Sequence, residues 1–177
     1  DASSIATPEQ AVTKTNQLFD KLAVYAGQNR QERIASGFLP KKEIDELDTG
    51  QMLLKMMVPD MQRAMSAQDQ MMAQVAALRV MIALERSRME SGHYPQSLGA
   101  LPAGSRDAFT DPFCGRPIGY KLIDANATIA SKAYILYSTG ADAEDNGGVE
   151  ATDRYAALSS RPEGKGFDYV LFGPSAK

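Results

Sequence analysis

Oxygen-bearing side chains between residues 142 and 153, a segment called the acidic loop below, are the strongest candidates for chemistry in this sequence. They are Asp142, Glu144, Asp145, Asn146, Glu150 and Asp153. Gly147 and Gly148 lie among them and allow the tight backbone turn that a hard cation needs. Because calcium prefers carboxylate, amide and carbonyl oxygens as ligands, the acidic loop predicts a structural calcium site.

The spacing within the acidic loop partly follows that of an EF-hand. Counted from Asp142, acidic or amide side chains fall at positions 1, 3, 5, 9 and 12, with Gly147 at position 6. Position 12 is Asp153, which is shorter than the bidentate Glu of that motif, and a strand pattern precedes Asp142 where an EF-hand has a helix. The alternative is a solvated loop without metal, since Asp, Asn and Gly are ordinary turn residues.

A nucleophilic pair is the other arrangement that we considered, because the chain has one cysteine and one histidine. In such a pair His93 would deprotonate Cys114. Both residues lie in turn-like segments, where we expect His93 at the surface and Cys114 in a turn or in the core. A single cysteine excludes an intrachain disulfide, and no Gly-Lys-Ser/Thr phosphate loop is present. Nothing near His93 or Cys114 in the sequence is typical of an activated nucleophile.

Composition narrows the class of protein further. The chain has 177 residues, with 19 basic and 22 acidic side chains that are mixed along its length, so nucleic acid is not an expected partner. Its apolar stretches are interrupted by Arg79, Glu85 and Arg86 and are shorter than the roughly 20 residues of a membrane span. The first residue is Asp1, as expected after loss of a signal peptide or of an amino-terminal segment, which makes export plausible.

Two amino-terminal helical stretches are predicted. Thr7, Pro8 and Gln10 form a helix start in which Thr7 caps and Gln10 completes a capping box. The apolar stripe that follows is Val12, Thr15, Phe19, Leu22 and Ala26. A polar run at 28–32 weakens this stripe before Gly37. A second stretch is predicted from Lys42 to Val58, with Thr49 and Gly50 as its weak point and Pro59 at its end.

The longest helix should run from Asp60 to about Ser91, where the chain has no Pro or Gly. Large apolar side chains fall close to one face of it: Met61, Met65, Met72, Val75, Leu78, Ile82 and Met89. Their helical spacing favours a face packed in the core or in a helix–helix seam. The alternative is a Met-rich groove exposed to a partner, because Met side chains adapt to varied surfaces.

Short strands should follow Gly92, because Pro95, Pro102, Pro112 and Pro117 interrupt the chain too often for long helices. The strand predictions are 133–138, 167–172 and 118–123, which are rich in aromatic and aliphatic residues. Together these patterns predict an α+β fold, with amino-terminal helices and one long helix packed on a small antiparallel sheet that has long loops.

The order of the motifs in the carboxy-terminal half carries a family resemblance. The succession is Ala83–Pro95, Ser97–Leu101, Asp111–Tyr120, Tyr137–Asp142, Asp145–Gly148 and Gly166–Val170. It is similar to the carboxy-terminal domain of the major pseudopilins of type II secretion and of many uncharacterised bacterial envelope proteins. The resemblance divides the chain into a helical amino-terminal segment, residues 1–69, and a pseudopilin-like α+β domain, residues 70–177.

The resemblance implies a second geometry for calcium, in which a Ser-x-Gly-x-Asp turn and a later Asp hold the ion together with backbone carbonyls. Asp142 matches the turn, and Asp168 matches the later Asp, with Asp153 as its alternative because 149–165 are inserted before Asp168. With Asp145, these residues form the predicted metal set. The chain departs from a pseudopilin over its first 70 or so residues, which are polar to amphipathic where a pseudopilin has an apolar anchor helix. Filament assembly is therefore not expected.

Three functions remain open from the sequence. The first is a non-catalytic periplasmic or cell-envelope protein, similar to pseudopilins, that acts through protein contacts and contacts the membrane only if an anchor helix preceded Asp1. The second is a soluble periplasmic binding module that uses the Met-rich helical face for a peptide or a hydrophobic ligand. The third is a hydrolase of unassigned type. The sequence leaves the partner and the oligomeric state open.

Overall fold

The computed structural model describes residues 7–47, 55, 61–102, 109–153, 156–158 and 166–174. The chain divides into two compact units, Asp1–Ala67 and Gln68–Lys177. The described residues form helices followed by a three-stranded antiparallel sheet, and the predicted α+β class is confirmed.

Among the described residues of the amino-terminal unit, three complete helices are α1 (Pro8–Gly27), α2 (Arg30–Ser36) and α3 (Pro40–Asp45). Lys55 is also helical. The predicted capping box at the start of α1 is confirmed. The Gln10 backbone N–H donates to the Thr7 hydroxyl over 3.3 Å, and the Thr7 N–H donates to the Gln10 side chain over 3.0 Å. These two bonds satisfy backbone donors that would otherwise lack a helical partner.

The helix α2 was not predicted from the sequence. It begins within the polar run at 28–32. Asn29 caps this helix by accepting hydrogen bonds from the N–H groups of Gln31 and Glu32, and the Glu32 carboxylate accepts one from the Asn29 N–H. Gly37 ends α2 in the left-handed region at φ +65°. The stretch predicted from Lys42 to Val58 corresponds to α3, and apart from residue 55 its part beyond residue 47 lies outside the described residues.

The longest helix, α4 (Met61–Ser91), matches its predicted bounds. Gly92 ends it with φ +82°, the left-handed conformation that glycine adopts without the steric cost of a Cβ. Tyr94 then turns back into the core, where 1% of its surface is exposed, and its ring packs edge-on against Tyr134 at 5.1 Å between centroids.

The sheet has the order β1-β2-β3, with β1 (Gly119–Leu122), β2 (Tyr134–Ser138) and β3 (Tyr169–Phe172). Both pairings are antiparallel, and the β2–β3 register shifts between Leu136 and Tyr137. A short helix, α5 (Ala130–Ala133), leads directly into β2. The three predicted strands are confirmed to within two residues at each end.

The core of the carboxy-terminal unit lies between α4 and the sheet. It consists of Ala76, Ala77, Val80, Leu84, Tyr94, Leu101, Phe109, Ile118, Ala133, Tyr134 and Leu136. The α4 contribution is rich in alanine, and such small side chains let a helix lie close to the rings that it covers. This packing buries one face of α4 against the sheet.

Candidate functional site

The acidic loop leaves the sheet at the end of β2 and its continuation returns to the sheet at β3. A 3₁₀ turn at Gly140–Asp142 opens it, and Gly147 and Gly148 have φ values of +70° and +78°. Glycine adopts these left-handed conformations easily, as expected for the tight turn predicted at this position. The end of β2 at Ser138 therefore lies beside the start of β3 at Tyr169.

Asp168 is the buried centre of this region. None of its surface is exposed, and it lies immediately before β3. Its carboxylate accepts hydrogen bonds from the N–H of Gly148 over 2.7 Å and from the N–H of Asn146 over 3.1 Å. The Asp168 N–H donates to the carbonyl of Val149 over 2.8 Å. The predicted site residue thus closes the loop by pairing with its backbone.

Burial raises the pKa of Asp168, because removal from water disfavours the charged carboxylate. The N–H groups of Gly148 and Asn146 act in the opposite direction by stabilising the charge. The nearby carboxylates of Asp145 and Asp142 raise the pKa further through charge repulsion. The net effect is a raised pKa, because burial and the two neighbouring carboxylates outweigh the two N–H donors.

Asp142 and Asp145 organise the loop in the same way. The two oxygens of Asp142 accept from the N–H of Glu144 over 3.1 Å and from the N–H of Gly166 over 3.1 Å. One oxygen of Asp145 accepts from the Tyr137 hydroxyl over 3.0 Å and from the N–H of Gly147 over 2.9 Å. Burial and the bond to Asp145 raise the pKa of Tyr137. Asp142 and Asp145 therefore lie near enough to Asp168 for their charges to raise its pKa.

Two basic side chains reach the same loop. The Arg116 guanidinium donates to the carbonyl of Ala143 over 2.9 Å, and the Lys121 ammonium donates to the carbonyl of Gly147 over 3.4 Å. Both are exposed. These bonds anchor the loop to the turn before β1 and to β1 itself.

The oxygens of the acidic loop have the chemistry that calcium prefers. The carboxylates of Asp142, Asp145 and Asp168 each have more acceptor sites than they have N–H or O–H donors. Asp153 is exposed in the same segment. Among the residues that the structure describes, no group of three or more His, Cys, Asp or Glu side chains is arranged to hold a metal ion.

A second buried carboxylate, Asp111, was not singled out as a site residue from the sequence. It is fully buried and accepts from five donors, which are the Phe113 N–H, the Ser138 hydroxyl, the Thr139 N–H and hydroxyl, and the Cys114 thiol. The oxygen contacts span 2.9 to 3.2 Å where the donor is Ser138 or Thr139. Asp111 thereby joins the turn before β1 to the end of β2.

The two residues considered for nucleophilic chemistry have other partners. The Cys114 thiol points to Asp111, with 3.6 Å between Sγ and Oδ2. The His93 ring is exposed, and its Nδ1 lies 3.0 Å from the hydroxyl of Ser91 at the end of α4. Each side chain therefore takes part in a local turn contact.

The exposed side of α4 corrects a prediction from the sequence. Five of the seven side chains expected to pack in the core are at least 38% exposed: Met72, Val75, Leu78, Ile82 and Met89. Met65 is half-buried, and the Met61 side chain lies outside the described residues. The face that packs on the sheet instead carries Ala73, Ala76, Ala77, Val80 and Leu84. The prediction that the large side chains pack in the core is wrong. It gave large apolar side chains more weight than alanines, and the alanines form most of the buried face.

Five exposed apolar side chains of α4 lie in a row, called the α4 apolar row below. Its members are Met71, Val75, Leu78, Ile82 and Met89, which are 57%, 38%, 55%, 55% and 81% exposed. They recur at steps of three and four residues apart from one gap at Glu85, so they lie along one side of the helix.

Comparison of the chain with protein-family models, with curated proteins and with solved structures found no match. In the part of the chain that the structure describes, no helix has the length and apolar character needed to cross a membrane.

Proposed function

We propose that this chain is a non-catalytic protein of the bacterial cell envelope or periplasm that acts by binding another protein through the α4 apolar row. The exposure of this row carries the proposal. Leu78 and Ile82 are each 55% exposed on a helix whose opposite face is packed on the sheet. Contiguous apolar side chains at a surface are typical of interaction sites.

The packing of α4 supports a binding role for the row. Val80 and Leu84, on the buried face, have no exposed surface, so the helix backbone is fixed before any partner arrives. A surface that is already ordered loses little conformational entropy on binding. The apolar area removed from water then contributes roughly 25 cal/mol per Å² to association before binding costs are subtracted.

The envelope location rests on the resemblance to pseudopilins carried by residues 83–170, and the calcium proposal rests on the acidic loop. Calcium would bind at Asp142, Asp145 and Asp168, with Asp153 as a further candidate, and would neutralise carboxylates that repel one another. Its role there would be structural, because Asp168 directly precedes β3.

A second candidate function is a periplasmic binding module for a peptide or a hydrophobic ligand. The observation in its favour is the exposure of Met71, Met72 and Met89, which are 57%, 52% and 81% exposed. Methionine is flexible and polarizable, and it is common on surfaces that accept several partners. Both functions use α4. The first binds a folded protein, and the second binds a peptide or a small hydrophobic ligand.

The test of a protein-contact role is site-specific cross-linking in cells that produce the full chain. A photo-reactive amino acid replaces Leu78 in the row or, as a matched control, Ile123, which is 51% exposed and lies outside it. We expect protein adducts of defined size from position 78 and none from position 123. Equal adducts from both positions, or none from position 78, would contradict the proposal.

A further inference from the structure

We infer that the element covering the α4 apolar row is an amphipathic α-helix of another protein that carries acidic residues along one edge of its apolar face. This inference rests on the proposed protein-contact function and specifies the partner's chemistry. The observations that carry it are the spacing of the row and the charges beside it.

The spacing of the row fits a helical partner. Val75, Ile82 and Met89 are seven residues apart and take position a of a heptad, while Met71 and Leu78 take position d. The row extends over about 27 Å from Met71 to Met89, because an α-helix rises about 1.5 Å per residue. An α-helix presents side chains at the same steps of three and four, whereas a strand presents them at steps of two.

Positive charge lies along one edge of the row. Arg79 and Arg86 occupy successive e positions and are exposed. Within the described part of the chain neither makes an ion pair or a hydrogen bond. The opposite edge carries Gln74 and Met81, and the Gln74 amide donates to the Tyr169 hydroxyl over 3.3 Å. At its carboxy-terminal end this edge also has Arg88, whose charge is paired with Glu85 over 3.0 Å. A partner that matches these charges has Glu or Asp seven residues apart along the edge that faces the arginines.

A second copy of this chain does not match these charges. In a parallel pair, Glu85 at position d would face its own copy. Glu85 is held in place by Arg88 over 3.0 Å and by the Tyr94 hydroxyl over 2.6 Å. In an antiparallel pair the two e edges meet, which brings Arg79 and Arg86 against the same residues of the copy. Both arrangements place like charges together, and that is unfavourable.

Two synthetic peptides test the inference with the full chain. Each has three heptads with Ile at a and Leu at d, and one carries Glu at every e and g position while the other carries Lys there. Binding is measured by fluorescence anisotropy at low and at physiological salt. We expect the Glu peptide to bind about tenfold more tightly at low salt, since two exposed ion pairs replace two repulsions.

Charge reversal provides the specific control. Arg79→Glu combined with Arg86→Glu should reverse the preference in favour of the Lys peptide, whereas Lys132→Glu, an exposed reversal on α5, should leave it unchanged. Ile82→Asp should abolish binding of both peptides, and circular dichroism checks that each variant remains folded. Reversal by the arginine pair assigns the charge selectivity to this edge of α4.

Equal binding of the two peptides, or binding of neither, would overturn the inference. Sedimentation velocity adds one more outcome: a dimer that Ile82→Asp disperses would assign the row to a second copy and also overturn it. If adducts at position 78 persist after reversal of both arginines, the proposed protein-contact function stands. The inference of an acidic partner helix is then wrong. The two proposals can therefore fail separately.

Discussion

Asp111 and Asp168 are both fully buried, yet their surroundings differ. Asp111 accepts from three side-chain donors and two backbone donors, and it joins two segments that are distant in sequence. Asp168 accepts from the backbone of the acidic loop and has other carboxylates nearby. The first carboxylate is saturated by donors of the protein, whereas the second has fewer donors and lies near other carboxylates, a setting that favours an added cation. Burial alone therefore does not distinguish a structural carboxylate from a candidate ligand.

Removal of the Asp111 carboxylate should give the largest effect. We expect Asp111→Ala to lower the free energy of unfolding by about 3 kcal/mol or more, because several buried donors lose their acceptor and each unsatisfied donor costs about 1 to 3 kcal/mol. Urea denaturation followed by circular dichroism measures this. The control is Asp124→Ala, an exposed aspartate that accepts from one N–H. Similar losses from both variants would show that the Asp111 bonds contribute little.

Calcium should give the next largest effect. At a concentration ten times the dissociation constant, a ligand that binds only the folded state adds about 1.4 kcal/mol to its stability. We expect millimolar calcium to raise Tm, chelator to reverse the increase and Asp142→Ala to remove it. Asp124→Ala is a matched control, because both aspartates accept from the N–H two residues later. No change in Tm with millimolar calcium would rule out the metal site.

The pH dependence of stability should report on Asp168. Because the folded-state pKa of Asp168 is raised, the folded state holds this proton more tightly than the unfolded state does. The contribution of Asp168 to stability is therefore present at pH values below its unfolded pKa and is lost as pH rises through its folded pKa. We expect the stability advantage of the wild type over Asp168→Asn to grow as pH falls, measured by urea denaturation. A constant difference across pH would contradict the raised pKa.

The smallest effect should come from the hydroxyl that joins Tyr137 to Asp145. Tyr137→Phe removes this 3.0 Å bond and leaves the buried ring in place. We expect a loss of about 0.5 to 1.5 kcal/mol, as for a typical hydrogen bond. Ser138→Ala, which removes one donor from Asp111, should cost at least as much because Ser138 is fully buried. A larger loss from Tyr137→Phe would invert the order of the two sites.

Local signals in the sequence were sufficient for much of the fold. The bounds of α4 followed from the absence of Pro and Gly before Gly92, and the strands followed from short aromatic and aliphatic runs. The helix α2 was missed although Asn29 and Glu32 have capping-box spacing, because the polar composition of the segment was taken as a break.

Features that depend on distant contacts were not predictable in the same way. The orientation of α4 depends on which residues the sheet accepts, and alanines such as Ala73 and Ala77 give a weaker periodic signal than the large side chains opposite them. The role of Asp111 depends on donors at Ser138 and Thr139, which the fold brings to it. Asp142 and Asp145 were predicted as metal ligands from a local pattern of oxygen-bearing residues near glycines, whereas Asp168 was predicted only from the resemblance.

The unequal connections on the two sides of β2 have a consequence for the order of folding. Residues 123–133 join β1 to β2, whereas the much longer segment 139–168 joins β2 to β3. Loop-closure entropy grows with length, so the β1–β2 pair should form first and β3 should join it last. Asp168 immediately precedes β3. Its hydrogen bonds to the acidic loop therefore stabilise the start of the strand that should pair last. Amide hydrogens of β3 should then exchange with solvent sooner than those of β2.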